Sequence, residues 1–382
     1  MAYKSTSFCR IYSLLIASLL FYQVSNAQAD FSKAGTWLKD NVNELGGRAV
    51  LVIFKDGKIV YNQAENEMSR RQKMIGKFIA KRQGKDPDEV LQDFTSTTKE
   101  RIASCSKWLS AALIMTFIDE GKLSLEDTVG KYLPVMTANG KGNIKIWQCL
   151  SHLTGIKAGT IRESTESMKN IQSMNEAIEL IAKQPMEGEP GKTFHYSSAG
   201  LQVAAAVIEK ISGKNFETLF AERIAGPCGM THTDFGNGKV AMPAGSGWST
   251  AEDYIKFLTM ILNEGKINGK QVVSKKSIIE MQKNRISKDA VIASSPAEAG
   301  NWGYGFGEWI MDSRLLTSPE GGGMPSSQRS NAVTSPGLFG SFPWVDNQLK
   351  YAGFLFTFYI KSKGRNERYK ELKKIVDEAI KE

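Results

Sequence analysis

Hydrophobic positions fall into runs of different period along this chain, and each period points to an element. Ala49 to Phe54 is a short apolar run rich in β-branched residues, Lys58 to Tyr61 is a second strand-like run, and Asp56-Gly57 lies between them. Two such runs about an Asp-Gly pair predict an antiparallel hairpin. From Arg70 to Lys85 the spacing becomes helical, with Met74, Ile75, Phe78 and Ile79 recurring on one side. Asp86-Pro87-Asp88-Glu89 then offers a cap, a proline at the first helical position and acids in the first turn, predicting a short helix that runs to Phe94.

The segment from Trp108 to Ile118 is apolar on every side, which marks a helix enclosed by the domain rather than lying on its surface; Gly121 stops it. A mainly helical middle follows. Ser173 and Glu176 are spaced as a capping box for a helix ending near Gln184, before Pro185. Gly200 to Ile211 reads as a helix closed by Gly213, and Thr250 to Leu262 as another entered through Gly-Trp-Ser. Strand character returns late, in Trp302 to Ile310, Asn331 to Thr334 and Tyr351 to Ile360, and a charged helix from Glu367 to Ile380 closes the chain. Strands at both ends with helices between them predict an α+β fold. One antiparallel sheet is built from both chain ends and flanked by helices, with a mainly helical subdomain inserted over roughly residues 105–235. Gly-rich Pro319 to Ser327 reads as a loop at the edge of a cleft.

With 382 residues and 41% hydrophobic content, the chain can bury a full core. Lys4 and Arg10 precede an apolar run from Ile11 to Tyr22, and Ser25-Asn26-Ala27 places small residues where a signal peptidase reads them. Residues 1–27 are therefore expected to be a removed leader, and residues 28–382 an exported, periplasmic or secreted protein. Cys9 falls in the leader, leaving Cys105, Cys149 and Cys228, an odd number with no Cys-x-x-Cys pair; no His-Glu-x-x-His occurs either. Neither a metal nor a cofactor is expected. The formal charge of +9 suits anionic surfaces, but acids and bases are mixed through most of the chain and no nucleic-acid motif is present. Arg70 to Lys85 is the exception, with seven basic residues and no acid. It reads either as a helix packed on the body with a solvated basic face or as one that contacts a membrane surface or cell envelope.

Ser104-Cys105-Ser106-Lys107 brings chemistry to the start of the enclosed helix. A hydroxyl and an amine three residues apart share a helix face. An amine in a dry pocket loses its proton readily, and could then take one from the hydroxyl, which gives an activated nucleophile without histidine. Several rivals are weaker. Gly247-Trp248-Ser249-Thr250-Ala251 approaches a nucleophile elbow, but that arrangement needs a later histidine and none follows His232, so Ser249 or Thr250 reads as a helix cap. His152, His195 and His232 are expected in structural roles, although His195 adjoins Tyr196. Cys105 would point about 100° away from Ser104 around a helix. Trp302-Gly303-Tyr304-Gly305-Phe306-Gly307 lacks the helix start and lysine of a phosphate loop.

The order of these signals resembles the serine β-lactamase and penicillin-binding-protein superfamily, in particular its class C, D-aminopeptidase and esterase branch. The resemblance rests on Ile102 to Lys107, Glu120 to Asp127, Ile144 to Ile156 with its Leu150-Ser151-His152-Leu153-Thr154-Gly155 core, Phe194 to Gly200, and Ser335-Pro336-Gly337-Leu338-Phe339-Gly340 followed by Phe342 to Asp346. It covers nearly all of residues 28–382 and implies the β-lactamase/transpeptidase fold. It further implies Ser104 as nucleophile, Lys107 as its base, Tyr196 as proton relay, the N–H groups of Ser104 and Leu338 as oxyanion hole, and Ser198, Ser335 and Gly337 in substrate binding. The implied substrate is a small-molecule or peptide ester or amide. Two positions depart from the family pattern: Ser198 stands where Tyr-x-Asn has its amide, and Ser335 where the third motif has Lys or His. The missing cation weakens recognition of a substrate carboxylate. Ester or amide hydrolysis is accordingly expected ahead of efficient β-lactam turnover. The alternative is a binding or sensor protein that captures cell-wall fragments without turnover.

Overall fold

The computed structural model describes residues 29–84, 86–159, 163, 166, 170–311, 331–360 and 363–382. The expected leader and the Pro319 to Ser327 loop lie outside the described residues.

Strands from both ends of the chain form one seven-stranded, wholly antiparallel sheet. They are β1 (Arg48–Lys55), β2 (Lys58–Asn66), β3 (Gly303–Tyr304), β4 (Trp309–Ile310), β5 (Ala332–Thr334), β6 (Phe342–Asp346) and β7 (Tyr351–Thr357), in spatial order β2-β1-β7-β6-β5-β4-β3. The hairpin turns at Asp56-Gly57, both with positive φ. Residues 48–53 of β1 and all of β7 are buried, because each face of the sheet is covered. A run buried on both faces needs apolar side chains at consecutive positions, and this is why Ala49 to Phe54 does not alternate.

Successive β1 residues serve two different cores. Ala49, Leu51 and Ile53 pack with the terminal helices α1 (Ser32–Asn41) and α6 (Arg365–Lys381), through Trp37, Leu38, Tyr369, Leu372 and Val376. Val50 and Val52 face the larger core, which contains α3 (Ser106–Asp119), α4 (Ala199–Ser212) and α5 (Ala251–Leu262). Trp37 Nε1 donates to Glu371 Oε2 at 2.9 Å, joining the two chain ends. On the opposite face Tyr254 of α5 stacks on Phe354 of β7 with centroids 4.6 Å apart.

Most sequence expectations for the helices hold. Thr250 caps α5, its Oγ1 accepting from Asp253 N–H at 3.0 Å, and Gly213 ends α4 with φ of 69°. Ser173 caps the helix Met174–Lys183, but Glu176 reaches Gln172 N–H instead of the cap residue, so only half of the expected box forms. The helix after Asp86 ends at Leu91, short of Phe94. Three differences are larger. Trp302 to Ile310 is not one strand but a tight antiparallel pair, β3 and β4, because Gly307 turns with φ of 76° against the Lys107 carbonyl. Phe342–Asp346, read in the sequence only as part of a family motif, is a full strand; the Pro343 carbonyl accepts from Thr334 Oγ1 at 2.5 Å. Finally, Ser104 sits not in α3 but on the single 3₁₀ turn Ala103–Cys105 that leads into it.

Candidate active site

Ala103 has φ of 46°, a left-handed conformation that a residue with a Cβ seldom adopts. This bend sets the next residue, Ser104, at the entrance to α3 rather than on its flank. Gly337 makes the neighbouring approach possible. A Cβ there would lie 2.5 Å from Ile102 O and 3.2 Å from Cys105 Sγ, so only glycine lets the segment after β5 cross the Ser104 turn this closely. Gly247 does the same from the other side, where a Cβ would meet Ser106 Oγ at 2.5 Å.

Lys107 is one turn further on and only 3% exposed. Its Nζ lies 3.1 Å from Ser104 Oγ, 2.8 Å from the Ala244 carbonyl and 4.6 Å from the centre of the Tyr196 ring. Among the described residues no carboxylate is within ion-pair range of it. Burial without a counter-charge disfavours the ammonium, and the Lys107 pKa is pulled down to about 7. A neutral amine has two N–H donors and one lone pair. One N–H goes to Ala244, leaving the lone pair free to accept the Ser104 hydroxyl.

Tyr196 follows the strand Thr193–His195, which pairs in parallel with Val291–Ser294. Its ring is held between Trp309, stacked at 5.3 Å, and His152, at 4.6 Å, and its hydroxyl bonds to Ser104. Burial raises the Tyr196 pKa above the usual phenol range, and the bond to Ser104 offsets this only in part. As pH rises through about 7, then, the amine gives up its proton while the phenol keeps its own. The arrangement therefore has one base, Lys107, and one acid, Tyr196, both beside the same hydroxyl.

The histidines support this cluster from behind. Ser197 N–H donates to His152 Nδ1 at 3.4 Å, so the ring proton is on Nε2, which is 3.0 Å from the Tyr304 hydroxyl. Burial, reinforced by Lys107, pushes the His152 pKa well below its ordinary value and keeps the ring neutral. His195 pairs through Nδ1 with Glu187 at the cleft wall, and exposed His232 lies beside Thr231. Cys105 is fully buried with its thiol directed at Ser341 O (3.8 Å), and burial raises its pKa, the opposite of what a thiolate nucleophile needs. Ser249 is buried against Thr233 Oγ1 at 2.8 Å.

The structure places the remaining expected site residues in two groups. Leu338, Gly337 and Ser198 line the cleft with Ser104, Lys107 and Tyr196. Ser335 lies beneath it, 1% exposed, with its hydroxyl donating to Gly307 O at 2.9 Å and lying 3.3 Å from Ser104 O. It braces the Ser104 turn and does not line the cleft. Two contributors were not anticipated. The Ala244 carbonyl accepts from Lys107 Nζ at 2.8 Å, and a main-chain oxygen leaves no trace in a sequence pattern. Buried Arg365 donates to Leu338 O at 3.1 Å and to the carbonyls of Tyr359 and Ile360, fixing the segment that carries the expected oxyanion N–H.

The cleft measures about 1600 Å³, larger than the roughly 300–1,000 Å³ usual for a small ligand. Trp248, Trp302, Phe235 and Leu338 supply apolar wall, and Arg101 and Lys157 lie on its margin. Among the described residues, no group of His, Cys, Asp and Glu could hold a metal ion.

A sequence model of the Beta-lactamase family matches residues 39–375. The chain belongs to that family. Protein Rv1367c of Mycobacterium tuberculosis is 27% identical over 297 residues, covering 64% of this chain and 71% of its own. Among solved structures, EstCE1, a hydrolase with promiscuous acyltransferase activity, superposes with a TM-score of 0.70 at 19% identity over 91% of this chain and 98% of its own. A family VIII carboxylesterase does so with a TM-score of 0.66 at 18% identity, over 91% and 97%. These likenesses confirm the β-lactamase/transpeptidase-like fold.

Proposed function

We propose that this protein is an exported serine hydrolase that cleaves an ester or amide through an acyl-enzyme on Ser104. One observation carries the reading: a buried amine with no counter-charge lies 3.1 Å from the Ser104 hydroxyl. Lys107 Nζ takes the Ser104 proton as Oγ attacks the substrate carbonyl, and the resulting oxyanion is held by the N–H groups of Ser104 and Leu338. Collapse of the tetrahedral intermediate expels the alcohol or amine, which takes its proton from the Tyr196 hydroxyl; the Lys107 ammonium then returns one to Tyr196. Water attacks the acyl-enzyme by the reverse sequence, freeing the acid and restoring Ser104.

The substrate class follows from what surrounds this centre. No cation stands at position 335, and the hydroxyl there is directed at main-chain oxygens. Trp248, Trp302 and Leu338 offer apolar wall to an uncharged acyl group, while two of the cleft's cations are already paired, Lys99 with Asp234 and Arg365 with Glu298, rather than free for the carboxylate of a β-lactam or D-Ala terminus. The likeness to a carboxylesterase and to EstCE1 supports the same choice. A panel of short-chain nitrophenyl esters, a D-Ala-D-Ala peptide and nitrocefin, run beside Ser104→Ala, tests it. Fastest turnover on the esters, absent in Ser104→Ala, is expected. Nitrocefin turned over fastest would overturn the substrate assignment, and a labelled acyl group that stays on Ser104 for hours would replace the hydrolase with a capture protein.

A further inference from the structure

The helix α2 (Arg70–Gln83) is turned the unusual way round. Its bulky apolar residues do not pack on the body: Met74 is 65% exposed, Phe78 66%, Ile75 44% and Ile79 41%. The buried positions are the small ones, Gly76 and Ala80. A Cβ at residue 76 would lie 2.6 Å from Leu91, so this side sits tight against the next helix. The element is well formed, with a reciprocal Ser69–Gln72 capping box at one end and Gly84 in the left-handed conformation at the other.

At about 100° per residue, Met74, Phe78, Ile75 and Ile79 span an arc of about 140°, with Gly76 and Ala80 on the opposite side. Lys73, Lys77, Arg70 and Lys81 fill the arc between the buried side and the apolar one. Arg71 and Arg82 stand near the helix ends, and the helix has no acid. A folded protein rarely keeps four large apolar side chains contiguous in water. A stripe of them beside a row of cations is complementary to one surface in particular, acyl chains beneath phosphate headgroups.

We propose that α2 docks the protein on an anionic phospholipid surface, with Met74, Ile75, Phe78 and Ile79 entering the acyl boundary and the basic row lying against lipid phosphates. The body is held through Gly76 and Ala80, so the helix can insert without unfolding.

Co-sedimentation of the full chain with vesicles of phosphatidylcholine, alone or mixed with phosphatidylglycerol, tests this beside Met74→Ser/Phe78→Ser and Lys73→Glu/Lys77→Glu variants made identically. Thermal unfolding verifies that each variant is folded. The wild type should pellet with the anionic vesicles, less so as salt is raised, and either double variant should lower its partition at least about tenfold. Absence of pelleting, or pelleting that both variants retain, would overturn the proposal. So would concentration-dependent self-association lost in Met74→Ser/Phe78→Ser, which would make a second copy the occupant of this face.

Discussion

Of the three lysines buried among the described residues, two are held in opposite ways. Lys373, on α6 behind the sheet, is 9% exposed and has Asp346 at 2.7 Å and both oxygens of Asp377 at 2.9 Å. Lys107, at the head of α3, is 3% exposed and has a serine hydroxyl, a main-chain carbonyl and an aromatic ring around it. The first environment holds a charge, whereas the second expels one. Burial alone therefore says little about a lysine, and neither does the lack of a carboxylate, since Lys141, 6% exposed, donates only to the Ala182 and Asn139 carbonyls; what marks Lys107 as the base is the Ser104 hydroxyl 3.1 Å from its amine.

Substitutions can break this contrast, and the largest effect should come from exchanging lysine for a permanent cation. Lys107→Arg removes the lone pair and should lower ester turnover at least about a thousandfold, as should Ser104→Ala, whereas Lys373→Arg should leave kcat within a few-fold. Steady-state rates on a nitrophenyl ester read all three. Tyr196→Phe keeps the ring between His152 and Trp309 but removes the acid, and should lower kcat about a hundredfold with a smaller change in KM.

On stability the ranking reverses. Lys373→Met leaves Asp346 and Asp377 facing each other without a cation and should cost about 3 kcal/mol in urea unfolding. Lys107→Met should cost little, and its comparison with wild type carries a sign. The unfolded chain holds the Lys107 proton up to about pH 10.5, but the folded chain only up to about pH 7. Wild type should therefore gain stability relative to Lys107→Met as pH rises from 7 toward 10.5, with a constant difference below 7. A smaller loss of rate than that of Tyr196→Phe is expected of Gly337→Ala, in which a methyl pushed toward Ile102 O shifts the Leu338 N–H and lowers kcat at least about tenfold.

The two lysines also show what a sequence discloses. The Ser104 and Lys107 pair was legible because it opened a segment apolar on every side, and a lysine there has few structural reasons to exist. Tyr196, Gly337 and Leu338 were legible through family motifs rather than through their own chemistry. The helices were readable from caps such as Thr250 and Gly213, and the β1–β2 hairpin from Asp56-Gly57. What escaped depends on main-chain atoms and on long-range approach. No pattern announces the Ala244 carbonyl, the left-handed Ala103 or the bracing role of the Ser335 hydroxyl. Phe342 to Asp346 was legible only as part of a family motif, and its strand depends on the partners on either side. The exposure of Met74 and Phe78 was equally hidden, since helical spacing shows that a face exists but not what it faces.

The most direct test of the account is the pH dependence of Ser104 modification by a fluorophosphonate, followed by mass spectrometry of the modified peptide. The reagent needs an activated hydroxyl but no particular substrate, so the rate reports the protonation of the base alone. The account predicts a rate that rises through a single ionisation near pH 7 and is level above it, with Lys107→Arg unreactive throughout. A rate still climbing at pH 10 would show that the Lys107 amine stays protonated in the folded protein, and a rate independent of pH would show that no ionisation near pH 7 controls Ser104; either result would contradict the account.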